Sequence, residues 1–469
     1  MKKKVVSALL CATMVATMFA GCGSKESDNN ASTPDTSKAD TSSEVSEPAE
    51  DTGKVLNIYC WNEEFKSRIT AHYPDYKEVD ATHGKIGDVD VVWNITPNDD
   101  NAYQNNLDAT LLNQADAPAD DKIDLFLVEA DYALKYVDTD YTMPIKDLGI
   151  TDDDLSKQYQ YTKDIVTDSN GVLKGLSWQG CPGVLFYNRD AAKEVLGTDD
   201  PDKVQESVKD WDTYNDTAKK MKDAGYKMTA SANDTYRVYS NNVTSKWVDG
   251  NKISIDDNIM KWVDDSKAQV DAGETGTCDL WSDDWSKGFY PQGKVFCYFG
   301  PAWLVNFSMA ADTEGSIGYN GGWGAAQGPQ GFFWGGTWIC AAQGTDNANL
   351  VKDIMLKMTT DDDIMKDIVV DDDDFVNNST VMNGLADGSI KVKDDKEYTS
   401  KILGGQNPLP MYCAGVETLD LSNLSSYDQG CNEEFQNAMK NYFEGKASKE
   451  DALDLFYKAV TEKYPELTY

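Results

Sequence analysis

Val55-Leu56-Asn57-Ile58-Tyr59-Cys60-Trp61 is the first stretch of the 469-residue chain built like a strand, and the alternation of elements that begins there sets the architecture. Apolar and aromatic residues crowd it, and polar Asn62, Glu63 and Glu64 end it. Residues 62–72 then read as a helix, Asp88-Val89-Asp90-Val91-Val92-Trp93 as a second strand, and residues 101–115 as a second helix. Ile123-Asp124-Leu125-Phe126-Leu127-Val128 is a third strand, nearly all apolar, which suits a strand covered on both faces. Strand, helix, strand, helix, strand predicts a parallel, right-handed α/β lobe. Ligands of such sheets sit beyond the carboxyl ends of the strands. The residues there are Trp61, Asn62, Glu63, Trp93, Asn94, Glu129 and Asp131.

A second block opens at Gly171-Val172-Leu173-Lys174-Gly175-Leu176-Ser177-Trp178. It continues with a strand at Val184–Tyr187, helices near 211–224 and 256–272, and a strand at Phe296–Phe299 that runs into Gly300-Pro301-Ala302-Trp303. The glycine-rich stretch 315–336, with Trp323 and Trp334, reads as a connection between lobes. Beyond it lie a strand at Thr337–Ala342 and a helix at 349–359. Residues 431–462 form two amphipathic helices, the second opened by Ser448 and Asp451 as a capping pair.

At this length two domains are expected. Hydrophobic residues make up 40% and aromatics 11%, which sustains a large core. The net charge of −37 excludes a nucleic-acid-binding face and attraction to anionic headgroups. Lys2, Lys3 and Lys4 followed by the apolar run Val5–Ala20 form a leader too short for a membrane span. It ends in Phe19-Ala20-Gly21-Cys22, which resembles the bacterial lipobox, with Cys22 as the acylated residue. Residues 22–53 are almost wholly polar or small and read as a disordered tether.

Seven cysteines lie beyond Cys22, with no CxxC or metal-type spacing. They read as small buried residues, with one or two disulfides left open. The runs Asp152–Asp154, Asp361–Asp363 and Asp371–Asp374 lack the alternation and central glycine of a calcium loop. The first two follow a threonine and look like helix N-termini. No metal or other cofactor is expected. GxSxG, HExxH and P-loop motifs are absent, and neither His72 nor His83 has the setting of a zinc ligand or a catalytic triad member.

Several motifs together carry a resemblance. They are Trp61-Asn62-Glu63-Glu64-Phe65; Gly175-Leu176-Ser177-Trp178 with Leu185-Phe186-Tyr187-Asn188-Arg189-Asp190; and Trp211-Asp212-Thr213-Tyr214. Then come Phe289-Tyr290-Pro291-Gln292-Gly293-Lys294-Val295-Phe296 with Gly300-Pro301-Ala302-Trp303; Trp334-Gly335-Gly336-Thr337-Trp338-Ile339; and the closing Tyr442-Phe443-Glu444-Gly445-Lys446-Ala447-Ser448. In this order they resemble the extracellular solute-binding lipoproteins of carbohydrate ABC importers, the maltose-binding-protein-like family. Lys209-Asp210 stands where a proline usually precedes the Trp211 motif, which implies an altered loop there.

The resemblance implies a two-lobed periplasmic-binding-protein-like fold: two discontinuous α/β domains joined by a three-segment hinge. The N-terminal lobe would be 54–175 plus 331–375, and the C-terminal lobe 179–325 plus 382–469. It implies a monomer that captures a sugar, most simply an oligosaccharide, and delivers it unchanged to the transmembrane subunits of a permease, held at the membrane by acylated Cys22.

By position, Trp303, Trp178 and Trp334 become stacking platforms, and Gly335 and Gly336 let backbone approach the ligand. Asp131, or its rival Glu129, becomes the carboxylate for sugar hydroxyls. Of Asn62, Glu63 and Glu64 after the first strand, at least one points into the cleft, Glu64 being alternatively the start of a helix, and Tyr427 supplies an aromatic from the second lobe. Trp61, Trp93, Asn94, Tyr236 and Arg237 read as structural. A polyamine would also suit the acidity, a glycoside hydrolase would share the acidic pairs and stacking aromatics, and a surface adhesin is a non-transport alternative.

Overall fold

The computed structural model describes residues 50–469. The expected leader (1–21), Cys22 and the expected tether up to residue 49 lie outside the described residues. The end of the expected tether is bound to the body. Asp51 accepts hydrogen bonds from the backbone of Asn349 and Leu350, and Thr52 and Gly53 donate to the Asp346 carbonyl.

The first lobe is laid down as β1 (Val55–Cys60), α1 (Glu64–His72), β2 (Tyr76–Glu78), β3 (His83–Ile86), β4 (Val89–Ile95), α2 (Ala102–Leu111) and β5 (Leu125–Glu129). β6 (Leu176–Ser177) adds a short edge, and the chain then enters the second lobe at β7 (Pro182–Asn188). There it forms α3 (Trp211–Asp223), α4 (Tyr236–Ser240), α5 (Asp257–Ala272), β8 (Cys297–Gly300), β9 (Trp323–Ala326) and β10 (Phe332–Phe333). It returns to the first lobe as β11 (Thr337–Ala341), α6 (Ala348–Thr360) and α7 (Asp362–Asp372), and ends in the second as α8 (Asp428–Phe443) and α9 (Lys449–Lys463).

The larger sheet has the order β2-β3-β4-β1-β5-β11-β6. β4, β1 and β5 run parallel, with Ile58 beside Trp93 and Leu125. β11 returns antiparallel to β5, pairing Thr337 with Glu129. β5 is buried from Leu125 to Val128, as its apolar composition demands. The smaller sheet is organised on β7, every residue of which is buried. β8, β9 and β10 all pair with it antiparallel.

Three expectations from the sequence are corrected. The antiparallel hairpin β2–β3 inserts between the first helix and the second parallel strand, a segment whose short, polar strands give little alternating signal. The glycine-rich stretch 315–336 is mostly part of the second lobe, because β9 and β10 lie within it; only residues after Phe333 pass to the first sheet. Asp361 does cap α7, accepting from the backbone of Asp363 and Ile364. Asp154 instead accepts from the Thr151 amide and hydroxyl in a turn that starts no helix.

Three segments pass between the lobes and hold one another. Gly180 donates to the Phe375 carbonyl at 2.9 Å, Asn377 to Trp178 at 2.7 Å, and Trp334 to Cys181 at 3.3 Å. Gln179, 2% exposed, ties all three. Its carbonyl oxygen accepts from the Thr337 amide, and its NH2 donates to Glu64 and Asp374. The seven cysteines are all unpaired thiols, five of them buried. Among the described residues no helix is long and apolar enough to cross a membrane, and no cluster of metal-ligating side chains occurs.

Candidate functional site

The carboxyl ends of β1 and β5 face the second lobe across a cavity of about 260 Å³. From the first lobe come Trp61, Asn62, Glu64 and Glu129; from the second, Trp281, Trp303 and Phe307; from the crossings, Gln179 and Trp334–Thr337. The second lobe and the crossings thus supply an aromatic wall, while the first lobe supplies most of the polar groups.

The wall is a cluster of three indoles. Trp303 and Trp334 meet edge to face at 5.3 Å, and Trp281 lies stacked at 6.2 Å from Trp303 and 5.6 Å from Trp334. Trp281, 54% exposed, stands at the mouth with Phe307, 59% exposed. Exposed aromatics grouped around a cavity signal a binding surface rather than core filling. Backbone freedom puts this wall where it is. Gly335 and Gly336 have φ of +69° and +102°. A Cβ on Gly335 would sit 3.2 Å from the Trp303 ring, and one on Gly336 3.1 Å from the Cys181 sulfur and the Trp338 ring. Only glycine turns the chain here without pushing the indoles apart.

The polar wall is held by the strand ends. Asn62 accepts from the Glu64 amide at 3.0 Å, starting α1. Trp61 packs edge-on against Tyr103 and Tyr132. Glu129 accepts from the Asp131 amide at 2.8 Å. Burial pushes the Glu129 carboxyl up to about 8, and neighbouring Asp131 adds to this while Arg237 opposes it. Burial likewise pushes Glu64 up to about 7, against the pull of Arg68. Both groups are therefore largely or partly protonated at neutral pH, able to donate as well as accept.

Of the residues singled out in the sequence, Trp303, Trp334, Glu129 and Asn62 line this cavity. The other four do not. Trp178 is fully buried and stacks on Phe65 at 5.3 Å, inside the first lobe's core. It stands at the crossing, but its ring turns inward. Glu63 is exposed, at the start of α1. Asp131 is engaged by Arg237 and lines a neighbouring cavity. Tyr427 packs edge-on against Tyr464 at the start of α8. Trp281 and Phe307 join the cavity without having been singled out in the sequence. Ser282 capping a short helix after Trp281 is a readable signal, but the left-handed φ of +68° that swings Trp281 into the cleft is not.

The fold is shared with solved structures over nearly their whole length. An extracellular solute-binding protein of family 1 matches with a TM-score of 0.68 and 17% identity, covering 87% of this chain and 99% of that one. The ABC-transporter-associated binding protein from B. animalis subsp. lactis Bl-04, solved with β-1,6-galactobiose, matches at 0.63 and 19%, covering 89% and 99%. The galacto-N-biose/lacto-N-biose I-binding protein of an ABC transporter from Bifidobacterium longum matches at 0.63 and 13%, covering 90% and 98%. No curated protein sequence matches. The family model for bacterial extracellular solute-binding proteins matches residues 80–399. With two α/β lobes, three crossings and a cleft between them, and with that match spanning more than half its length, the chain belongs to the family of bacterial extracellular solute-binding proteins.

Proposed function

We propose that the chain is the substrate-binding component of an ABC importer, and that it captures a sugar, most simply an oligosaccharide, in the interlobe cleft and hands it unchanged to the transmembrane subunits. The single observation that carries this reading is the cluster of Trp281, Trp303 and Trp334 facing Asn62, Glu64 and Glu129. Indole faces suit the apolar C–H faces of sugar rings. Carboxyl and amide groups each bind hydroxyls, and they discriminate strongly against ligands that lack them. A carboxyl that keeps its proton suits a hydroxyl better than an ammonium group, which weighs against a polyamine.

In this reading the platforms are Trp303, Trp334 and Trp281, and the hydroxyl partners are Glu129, Asn62 and Glu64. Relatives of the fold solved with β-1,6-galactobiose and with lacto-N-biose support the choice of ligand class. The sequence Phe19-Ala20-Gly21-Cys22 supports acylation at Cys22 and anchoring to the outer face of the cytoplasmic membrane.

A thermal-shift and calorimetry screen tests the reading, with maltose, β-1,6-galactobiose, lacto-N-biose, monosaccharides, putrescine and spermidine as probes. A sugar at 100 times its dissociation constant stabilises by about 2.7 kcal/mol. Stabilisation by a polyamine and by no sugar would overturn the sugar assignment, and cleavage of an oligosaccharide would overturn the binding role. For Cys22, release of the Cys22→Ala protein from the membrane fraction is the expected outcome.

A further inference from the structure

Asp131 follows β5 in the first lobe, and Arg237 lies in α4 of the second, between Tyr236 and Val238, both in second-lobe cores. Their side chains meet across the cleft in a two-pronged pair. Arg237 Nη1 donates to Asp131 Oδ1 at 2.8 Å, and Nη2 donates to Oδ2. The side chains are only 19% and 23% exposed, so water screens the pair little. Bidentate guanidinium–carboxylate contacts are among the stronger charge-assisted hydrogen bonds.

Two further facts give the pair a direction. Among the described residues the Arg237 guanidinium hydrogen-bonds to Asp131 alone, so every hydrogen bond it makes crosses from one lobe to the other. On the same edge, Gln429 of α8 donates to Asn101 at 3.3 Å and accepts from Gln104 at 3.4 Å, again joining second lobe to first. These contacts exist only when the lobes are together. Asp131 and Arg237 line one cavity, while Glu129, two residues earlier, lines the indole cavity.

We propose that Asp131 and Arg237 are positioning residues that latch the two lobes in the closed arrangement without any bound solute. The latch sets how much of the free protein is already closed, and so scales the affinity for whatever the cleft takes. Asp131 then acts on the other lobe rather than on ligand hydroxyls. The proposal does not depend on the ligand being a sugar.

Small-angle X-ray scattering on the protein without added solute tests it. Asp131→Asn and Arg237→Gln each are expected to raise the radius of gyration, with the closed-to-open ratio falling roughly tenfold, the usual scale of coupling between sites. Arg237→Lys, which keeps the charge and loses the fork, is expected to fall between. The swap of Asp131→Arg with Arg237→Asp is expected to return the radius to that of the parent. A purely structural role would lower the melting temperature without this pattern of opening and rescue. Scattering unchanged in both single variants, or opening that the swap fails to reverse, would overturn the latch. Because no solute is present, this result stands apart from the sugar screen.

Discussion

Glu129→Gln isolates the most displaced carboxyl in the cleft. Burial moves Glu129 from 4.5 to about 8, chiefly by penalising its charged form. Below pH 4.5 folded and unfolded chains both hold this proton, and the group is neutral to stability. As the pH rises past 4.5 the unfolded chain releases the proton while the folded one keeps it, so stability falls until about pH 8. Converted at full value, the displacement is about 5 kcal/mol, an upper bound. Glu129 lines a water-accessible cleft, and water reaching the carboxylate eases its ionisation, so about 2 kcal/mol is the expected size. Gln keeps the shape and the acceptor for the Asp131 amide but cannot ionise. Thermal melts of parent and variant are expected to coincide near pH 4, below the carboxyl's ordinary value. At pH 8.5 the variant is expected to melt higher, by about 4 °C or less at this chain length. Asp124, Asp234, Glu64 and Asp428 are also displaced upward by burial, but they are common to both proteins and cancel in the difference. A variant that melts lower at pH 8.5, or that differs from the parent equally at both pH values, would refute the reasoning.

The two tryptophans that look alike in sequence are expected to behave differently. Trp303→Ala should weaken a bound solute tenfold or more by calorimetry with little change in melting, as for an aromatic anchor. Trp178→Ala should destabilise by about 3–5 kcal/mol in denaturant unfolding, because it empties a fully buried site against Phe65. Gly336→Ala is expected to cost about 2–4 kcal/mol, from a φ of +102° and a Cβ driven against Cys181 and Trp338. Ser448→Ala, which removes the acceptor for the Asp451 amide, should cost about 1 kcal/mol and leave solute binding unchanged.

Much of the fold was legible because burial leaves a compositional trace. The run Leu125–Val128 reads as a doubly covered strand and is one, inside the larger sheet between β1 and β11. The closing helices and their Ser448 cap were legible for a local reason, since the cap depends on residues three apart. The hairpin β2–β3 was not, because its stability comes from pairing with β4 rather than from its own pattern. The site divides along the same line. Asn62 and Glu129 are fixed by the rule that strand ends face the cleft. Whether a tryptophan at a crossing faces in or out depends on one backbone torsion and on what waits across the lobe. That distinction sends Trp178 onto Phe65 and Trp334 toward Trp303, and no local pattern encodes it.

Gln179 shows how hinge and cleft become one device. Lobe motion must change torsions in all three crossings at once, because they are bonded to each other. Gln179 gathers those bonds into a single buried amide, which also holds Glu64 at the wall of the indole cavity. In the proposed reading, a solute hydroxyl that engages Glu64 pulls on the amide that bridges the crossings. Asp131 and Arg237 also join the lobes directly. Closure is then favoured from two places: by the solute through Glu64 and Gln179, and by the ion pair without it. The physical consequence is that closure of the empty protein and the solute's own contacts respond to separate substitutions, although both feed into the affinity. Asp131→Asn alters the free protein's equilibrium, whereas Trp303→Ala alters only what happens once the cleft is filled.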